Sequence, residues 1–538
     1  LLEVEIPLSS PLKIISIIAA PFVSGILMFA AFPCYDQSYT AWFGLIPLLL
    51  ALAQSRPIKG FFLFFIFGVV FYTGIFYWMF DLPKYKVLHH AVLGIYLCPL
   101  LGFIGIGFCF INRRRGIAFA LASLPFIWVA QEYIRSNLSF LSLPWGLLGH
   151  SQYQHPLLIQ VASLTGVWGV SFLIVLVNST ITAIFFLLIG RKTSAGLNAD
   201  QISRSTGPKV VVASAIITVF LTLSYGYVML AGPLKGKEFK IAVVQGNIDQ
   251  SKKWDPKHAP EIMQIYTNLT EMASAGRPDL IVWPETATPK AINLDPKLYS
   301  QVKQIAKSNG TYLLIGSSQL QKFKVKEPKS AKYMNSAFLI APIASNARDQ
   351  QYDKIRLLPF SEYLPYKDTI SWSYLHIPDV DSYVPGRKFT IFGIGDFRFG
   401  VTICWENIFA DVVRQFVRNG ALCIINITNE AWFGKSAAPY QFMSMSVFRA
   451  VENRVHVIRC ANTGISCFID PCGRIEDRVK DNSGKDLFVQ GILTRPISPF
   501  KPITFYTRFG DWFVWLCIFA TTVVLIVAFL SKNPAEKI

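Results

Sequence analysis

Apolar runs of bilayer length dominate the first half of the chain, and no soluble fold accommodates so many. A hydrocarbon core about 30 Å thick is crossed by about 20 apolar residues in a helix. Seven runs before residue 235 approach or reach that length, at roughly 12–32, 40–54, 60–80, 87–111, 116–136, 157–189 and 209–232, and an eighth lies at roughly 511–531. The second of them is short. Composition agrees, with 52% of residues hydrophobic and 16% charged, against about 25% charged in soluble domains. The predicted architecture is a polytopic α-helical membrane bundle of about eight spans.

Loop charges supply an orientation. With a cytoplasmic N-terminus, Lys13, Arg56, Lys59, Arg113, Arg114, Arg115, Arg191, Lys192, Arg204, Lys209, Lys532 and Lys537 lie inside, while the short outer loops hold Lys84, Lys86 and Arg135. This follows the positive-inside rule. Three parts are predicted: a bundle of seven helices over 1–234, an outer domain over 235–508, and a final span with a cytoplasmic tail over 509–538. The first run has no small-residue cleavage site and reads as a retained helix. The net charge of +18 is then topology and headgroup charge. No phosphate loop, zinc spacing or RNA-binding signature accompanies it, which sets nucleic acid and metals aside.

Two features interrupt the membrane half. From Leu143 to Phe172 the chain is broken by Pro and Gly and carries His150 and Gln152. Irregular backbone at membrane depth requires protein or a watery cavity around it. Glu132 and Arg135 stand three residues apart on one helical face, so an ion pair near the outer interface is expected.

From Phe239 the texture changes to short β-runs alternating with amphipathic helices, an α/β pattern. The lysine-rich stretch from Lys322 to Lys332 reads as a solvated hairpin. Nine cysteines without a CxxC pair do not make a disulfide framework. One cysteine is distinctive. FRFGVTI runs up to Cys404, and a helical pattern starts immediately after it. A buried core thiol is the commoner fate of a free cysteine, but a helix N-terminus would favour a thiolate and an oxyanion beside it. Glu285 at the end of LIVWPE and Lys354 after QYD end apolar strands in the same way, where parallel sheets place their ligands. A carboxylate to move a proton, a thiol to attack a carbonyl and an ammonium to hold an oxyanion make a complete covalent chemistry.

VVQGNIDQSKKWDP, IVWPETA, DKIRLLPFSEYLP, TICWENIF, ITNEAWFG and RCANTGIS occur in this order. In these motifs the chain resembles the nitrilase or carbon–nitrogen hydrolase superfamily. With helices before and after them it is similar to that superfamily's membrane branch, the apolipoprotein N-acyltransferases. The resemblance implies a nitrilase-like αββα sandwich carried by the bundle. It implies Glu285 as general base, Lys354 as oxyanion stabiliser and Cys404 as nucleophile, with Glu362 and Glu406 in support. Trp254, Trp405, Trp432 and Phe433 are the implied substrate-handling residues. Trp405 stands where relatives often have tyrosine, which keeps an aromatic wall without a phenol, and Glu430 replaces a more usual aspartate.

The same resemblance implies an acyl chain taken from a phospholipid as a Cys404 thioester and passed to the α-amino group of a diacylglyceryl apolipoprotein. The implied setting is the periplasmic face of a bacterial inner membrane, with a monomeric protein and no metal or organic cofactor. A membrane-tethered amidase or nitrilase is the rival enzyme, although eight spans exceed what a tether needs. A transporter or lipid receptor with a dead enzyme domain is the rival from another class, and it would be indifferent to loss of Cys404.

Overall fold

A computed structural model of the chain describes residues 11–33, 35–189, 206–232, 236–321, 332–342, 349–375, 377, 383–500 and 503–531. It divides into two compact units, one of residues 1–80, 84–230 and 511–538, the other of residues 81–83 and 231–510. Arg191, Lys192, Arg204, Lys532 and Lys537 of the expected inner loops lie outside the described residues, as do Cys34 and residues 322–331 of the lysine-rich stretch.

The first unit corrects the expected number of spans. Among the described residues six helices, not eight, are long and apolar enough to cross a membrane: Pro57–Asp81, Val87–Arg115, Ile117–Ser136, Val167–Leu188, Lys209–Ala231 and Trp512–Leu530. The second expected run folds as a 3-10 turn, Ser38–Trp42, and a short helix, Ile46–Leu52. At 1.5 Å per residue that helix reaches only about 10 Å. The first run is the helix Pro11–Ala30, but its described side chains make only a shorter apolar helix, Ile17–Ala30. The sixth run breaks into Pro156–Ile159, Ala162–Thr165 and Val167–Ile189.

Side chains supply what these breaks leave open. Asn178 Oδ1 accepts from Leu45 N at 2.9 Å and its Nδ2 donates to Ala41 O at 2.8 Å, satisfying backbone groups at the short second segment. Gln152 Nε2 donates to Ser38 O at 2.9 Å and Gln152 Oε1 accepts from Trp42 Nε1 at 3.1 Å, so the irregular stretch is surrounded by protein as expected. The expected Glu132–Arg135 pair does not form. Glu132 Oε1 accepts from Trp128 Nε1 at 3.1 Å and Leu148 N at 2.8 Å, while Arg135 Nη1 donates to Leu143 O at 2.6 Å and Trp145 O at 2.7 Å. Both ends of the pair are used to hold the irregular backbone after Asn137. The helices Pro57–Phe76 and Val87–Arg115 cross backbone to backbone, since a Cβ on Gly105 would meet Gly60 O at 2.1 Å, the small-residue contact typical of bilayer helices.

Among the described residues the second unit has twelve strands: β1 (Phe239–Gln245), β2 (Leu280–Val282), β3 (Tyr312–Gln321), β4 (Lys332–Ile340), β5 (Gln350–Asp353), β6 (Ile391–Ile394), β7 (Phe397–Ile403), β8 (Cys423–Thr428), β9 (His456–Ala461), β10 (Cys467–Ile469), β11 (Ile475–Arg478) and β12 (Gly491–Ile497). They form two six-stranded sheets, ordered β12-β1-β2-β3-β4-β5 and β11-β10-β9-β8-β7-β6. The two sheets face each other. Phe239 stacks on Phe397 with ring centroids 3.9 Å apart, and Cys460 Sγ of β9 approaches Val282 O of β2 at 3.2 Å. Helices Ala259–Ser274 and Pro296–Asn309 cover the first sheet through Ile262, Tyr266, Leu269, Val302 and Ile305. The amphipathic Ala410–Arg418 and the buried Ala438–Asn453 belong with the second sheet. This is the expected helix–sheet–sheet–helix sandwich.

Candidate active site

Strand direction places the three predicted chemical residues. β1, β2 and β3 are parallel, and β4 reverses twice so that β5 runs with them. β7, β8 and β9 are parallel in the other sheet. Lys354 and Cys404 directly follow β5 and β7, and Glu285 lies three residues beyond β2. Each therefore emerges at the C-terminal end of a strand.

Glu285 is buried and fully engaged. Its Oε1 accepts from Asn335 Nδ2 at 2.7 Å and its Oε2 from Asn429 N at 2.8 Å. Lys354 Nζ lies 3.8 Å from Glu285 Oε1 and 2.9 Å from Glu362 Oε1. Asn335 Nδ2 also reaches Glu362 Oε1 at 3.2 Å, and Leu358 N donates to Glu362 Oε2 at 2.7 Å. Two carboxylates thus share one ammonium. Burial pulls the Lys354 ammonium down, but Glu362, Cys404 and Glu285 outweigh it and hold the group protonated, well above its ordinary value.

Cys404 departs from the expected electrostatics. No α-helix starts at it; a five-residue 3-10 turn, Cys404–Ile408, intervenes before Ala410–Arg418. Such a turn has no helix field to offer a thiolate. Burial and the neighbouring Glu285 push the thiol well up, and Lys354 only partly opposes them. At rest the group is a protonated thiol, so it needs a base as it attacks. Its φ of 55° is left-handed, a conformation that costs a non-glycine residue about 1–2 kcal/mol. Asn426 Nδ2 donates to Cys404 O at 3.1 Å and Glu406 Oε2 accepts from Ile403 N at 2.8 Å, fixing the carbonyl of the turn residue and the amide before it.

Glu406 does more than brace the turn. It is fully buried, and its Oε1 accepts from Tyr352 Oη at 2.9 Å, Ile355 N at 2.7 Å and Arg356 N at 3.0 Å. One carboxylate therefore clamps the turn of Cys404 to the backbone just after Lys354. Trp405 joins the clamp. It is buried, and its indole donates to Arg356 O at 2.7 Å. Glu430 also lies in the interior, ion-paired to Arg459.

The other expected substrate residues differ in exposure and packing. Trp254 and Trp432 are 47% and 49% exposed, while Phe433 packs on Phe442 with ring centroids 5.8 Å apart. Three groups that touch Glu285 escaped the sequence reading. Asn335 is followed by Ser336 in the middle of β4 and carries no motif signal of its own, and Asn429 lies inside the ITNEAWFG motif. Lys253, just before Trp254, donates from Nζ to Glu285 O at 3.1 Å. No group of three or more His, Cys, Asp or Glu side chains that could hold a metal occurs among the described residues.

With this geometry, a thiol, a carboxylate and an ammonium can act on one carbonyl. Comparison with known proteins gives two matches to family models: the apolipoprotein N-acyltransferase N-terminal domain over residues 24–180 and carbon-nitrogen hydrolase over residues 240–488. The chain is 37% identical over 519 residues to an apolipoprotein N-acyltransferase of Geobacter metallireducens, covering 95% of both chains. It is 29% identical over 538 residues to that of Chlorobaculum tepidum, covering 95% of this chain and 96% of the other. For that of Thermotoga maritima the identity is 28% over 527 residues, with 96% and 94% covered.

Proposed function

The chain belongs to the apolipoprotein N-acyltransferase family of multi-pass membrane enzymes, and on that premise we propose that it acylates the α-amino group of the lipid-modified N-terminal cysteine of apolipoproteins. The acyl chain comes from a phospholipid and rests on Cys404 as a thioester between two half-reactions. In the first, Glu285 takes the thiol proton as sulfur attacks the ester carbonyl. The oxyanion is held by the Lys354 ammonium. Collapse breaks the carbon–oxygen bond, and Glu285 returns the proton to the departing lysophospholipid. In the second, the neutral amine attacks the thioester, Glu285 takes its proton, the carbon–sulfur bond breaks and Cys404 is reprotonated.

One observation carries this reading: Lys354 Nζ lies 3.8 Å from Glu285 Oε1, and Cys404 follows β7, whose neighbour β8 leads to Asn429, the residue whose backbone N–H holds Glu285 Oε2. Glu362 orients the lysine, and Glu406 with Trp405 holds the two loops. The exposed Trp254 and Trp432, with Phe433, are the side chains we assign to gripping the acyl chain. We further read residues 1–234 and 509–538 as the membrane part and 235–508 as the catalytic domain, at the periplasmic face of a bacterial inner membrane. Arg113, Arg114 and Arg115 in the last turn of Val87–Arg115 mark the cytoplasmic side. The enzyme acts as a monomer, with no cofactor.

The test is intact-mass measurement after incubation with phospholipid. We expect one acyl chain added at Cys404 and its loss to a diacylglyceryl-cysteine peptide. Absence of any adduct, with ammonia released from small amides instead, would replace this reading with a membrane-tethered amidase.

A further inference from the structure

Lys253 and Trp254 are adjacent in sequence and opposite in placement. Trp254 is 47% exposed, whereas Lys253 is 3% exposed and its ammonium makes its one hydrogen bond to the main-chain oxygen of Glu285. An ammonium has three donors, so two remain open beside the catalytic carboxylate. Burying such a group is costly unless charge compensates it. The turn that carries it is built into the site: Lys253 N donates to Asp249 O at 3.1 Å, and Asn429, which holds Glu285, also donates from Nδ2 to Gln250 Oε1 at 2.8 Å.

Charge counting shows what is missing without it. Glu285 and Glu362 are two carboxylates sharing the single ammonium of Lys354. That cluster carries a net negative charge before any oxyanion forms, and a second anion beside it would be repelled. We propose that Lys253 is a positioning residue of the acyl-transfer centre: its ammonium brings the cluster to neutrality and, through Glu285, sets how readily Cys404 gives up its proton. The inference rests on the acyl-transfer reading for its place in the reaction, but not for its electrostatics.

The groups facing Lys253 are Glu285 and Cys404, with Lys354 and Glu362 beyond the Glu285 carboxylate. Its charged chain neighbours Asp249 and Lys252 are exposed, and Asp255 is half-exposed. Burial lowers the ammonium to about 8, with Glu285 and Cys404 opposing, so its charge is present below that pH and lost above it.

The experiment uses the full-length protein and follows alkylation of Cys404 by iodoacetamide, read by peptide mass from pH 6 to 10, in wild type, Lys253→Met and Lys253→Arg. The expected wild-type rate bends near pH 8. Lys253→Met should slow alkylation about tenfold at pH 7, one pKa unit of thiol acidity, and remove the bend. Lys253→Arg should restore the rate without the bend, because arginine stays charged. A Lys253→Met protein that reacts like wild type overturns the proposal. Equal slowing in both variants, each unfolding at the wild-type temperature, also overturns it, because shape rather than charge then matters. If wild type forms no acyl adduct with phospholipid but shows this alkylation dependence, the acyl-transfer reading falls and the role of Lys253 stands.

Discussion

Lys354 Nζ sits 2.9 Å from Glu362 Oε1 and 3.8 Å from Glu285 Oε1, so the lysine is bound more tightly by the carboxylate assigned to orient it than by the assigned base. The ammonium is thereby held in place by Glu362, independently of the proton state of Glu285. Replacing Glu362 by Gln removes the larger of the influences that keep Lys354 charged against burial. The expected loss is about 10²–10³-fold in kcat, the cost of a misplaced oxyanion donor, with KM for phospholipid little changed. Steady-state acylation kinetics across pH check this, and activity should also fail at lower pH than in wild type.

Gly316 of β3 is the place where the sheet admits the Glu285 loop. A Cβ there would meet Pro284 O at 2.4 Å and Glu285 Cα at 2.6 Å. Gly316→Ala should cost about 1–3 kcal/mol in overpacking and displace the base. We expect acyl-adduct formation to fall by more than tenfold, since a displacement of about 1 Å can cost 10²-fold. Denaturant unfolding and adduct formation measured together separate the two effects.

His456 at the start of β9 is buried with both ring nitrogens unbonded, and burial lowers it to about 4. The unfolded chain takes up this proton near 6.5. The stability contribution is therefore present above about 6.5 and lost as pH falls towards about 4, on the order of 3 kcal/mol. His456→Phe should remove this part of the acid destabilisation, as read from unfolding midpoints between pH 4 and 7.

At alkaline pH the buried thiols add a dependence of their own. Cys404 and Cys423 are raised by burial, Cys460 to about 12 and Cys467 to about 11. An unfolded thiol titrates near 8.5. Above that pH the unfolded state releases protons the native state keeps, so stability present below about 8.5 is lost as pH rises, by about 1.4 kcal/mol per pH unit for each thiol. Cys423→Ala should flatten this slope above pH 9 in unfolding measurements.

The sequence was informative where chemistry and strand ends coincide. Glu285, Lys354 and Cys404 each terminate an apolar run, and the motifs around them recur as a set. It was less informative where an outcome depends on residues distant in the chain. Asn335 and Lys253 touch Glu285 from different strands and loops, and nothing local in YMNSAF or KKWDP announces that meeting. The field at Cys404 was misjudged because hydrophobic periodicity cannot distinguish a 3-10 turn from an α-helix, and burial raises the thiol instead. The span count was too high because apolar content does not reveal that the second run folds as a 3-10 turn and a helix too short to cross, a segment that Asn178 supports from a distant part of the chain.

The last strand, β12, lies beside the first, β1, with Phe239 opposite Ile497. In the sheet that carries Glu285 and Lys354, β1 therefore has no neighbour on that side until residue 497 has left the ribosome. During synthesis this exposed edge must be shielded from other chains, and activity can begin only after nearly the whole domain has been translated. A protein truncated before β12 would retain every side chain assigned to the reaction and still lack one edge strand of the sheet that holds two of them.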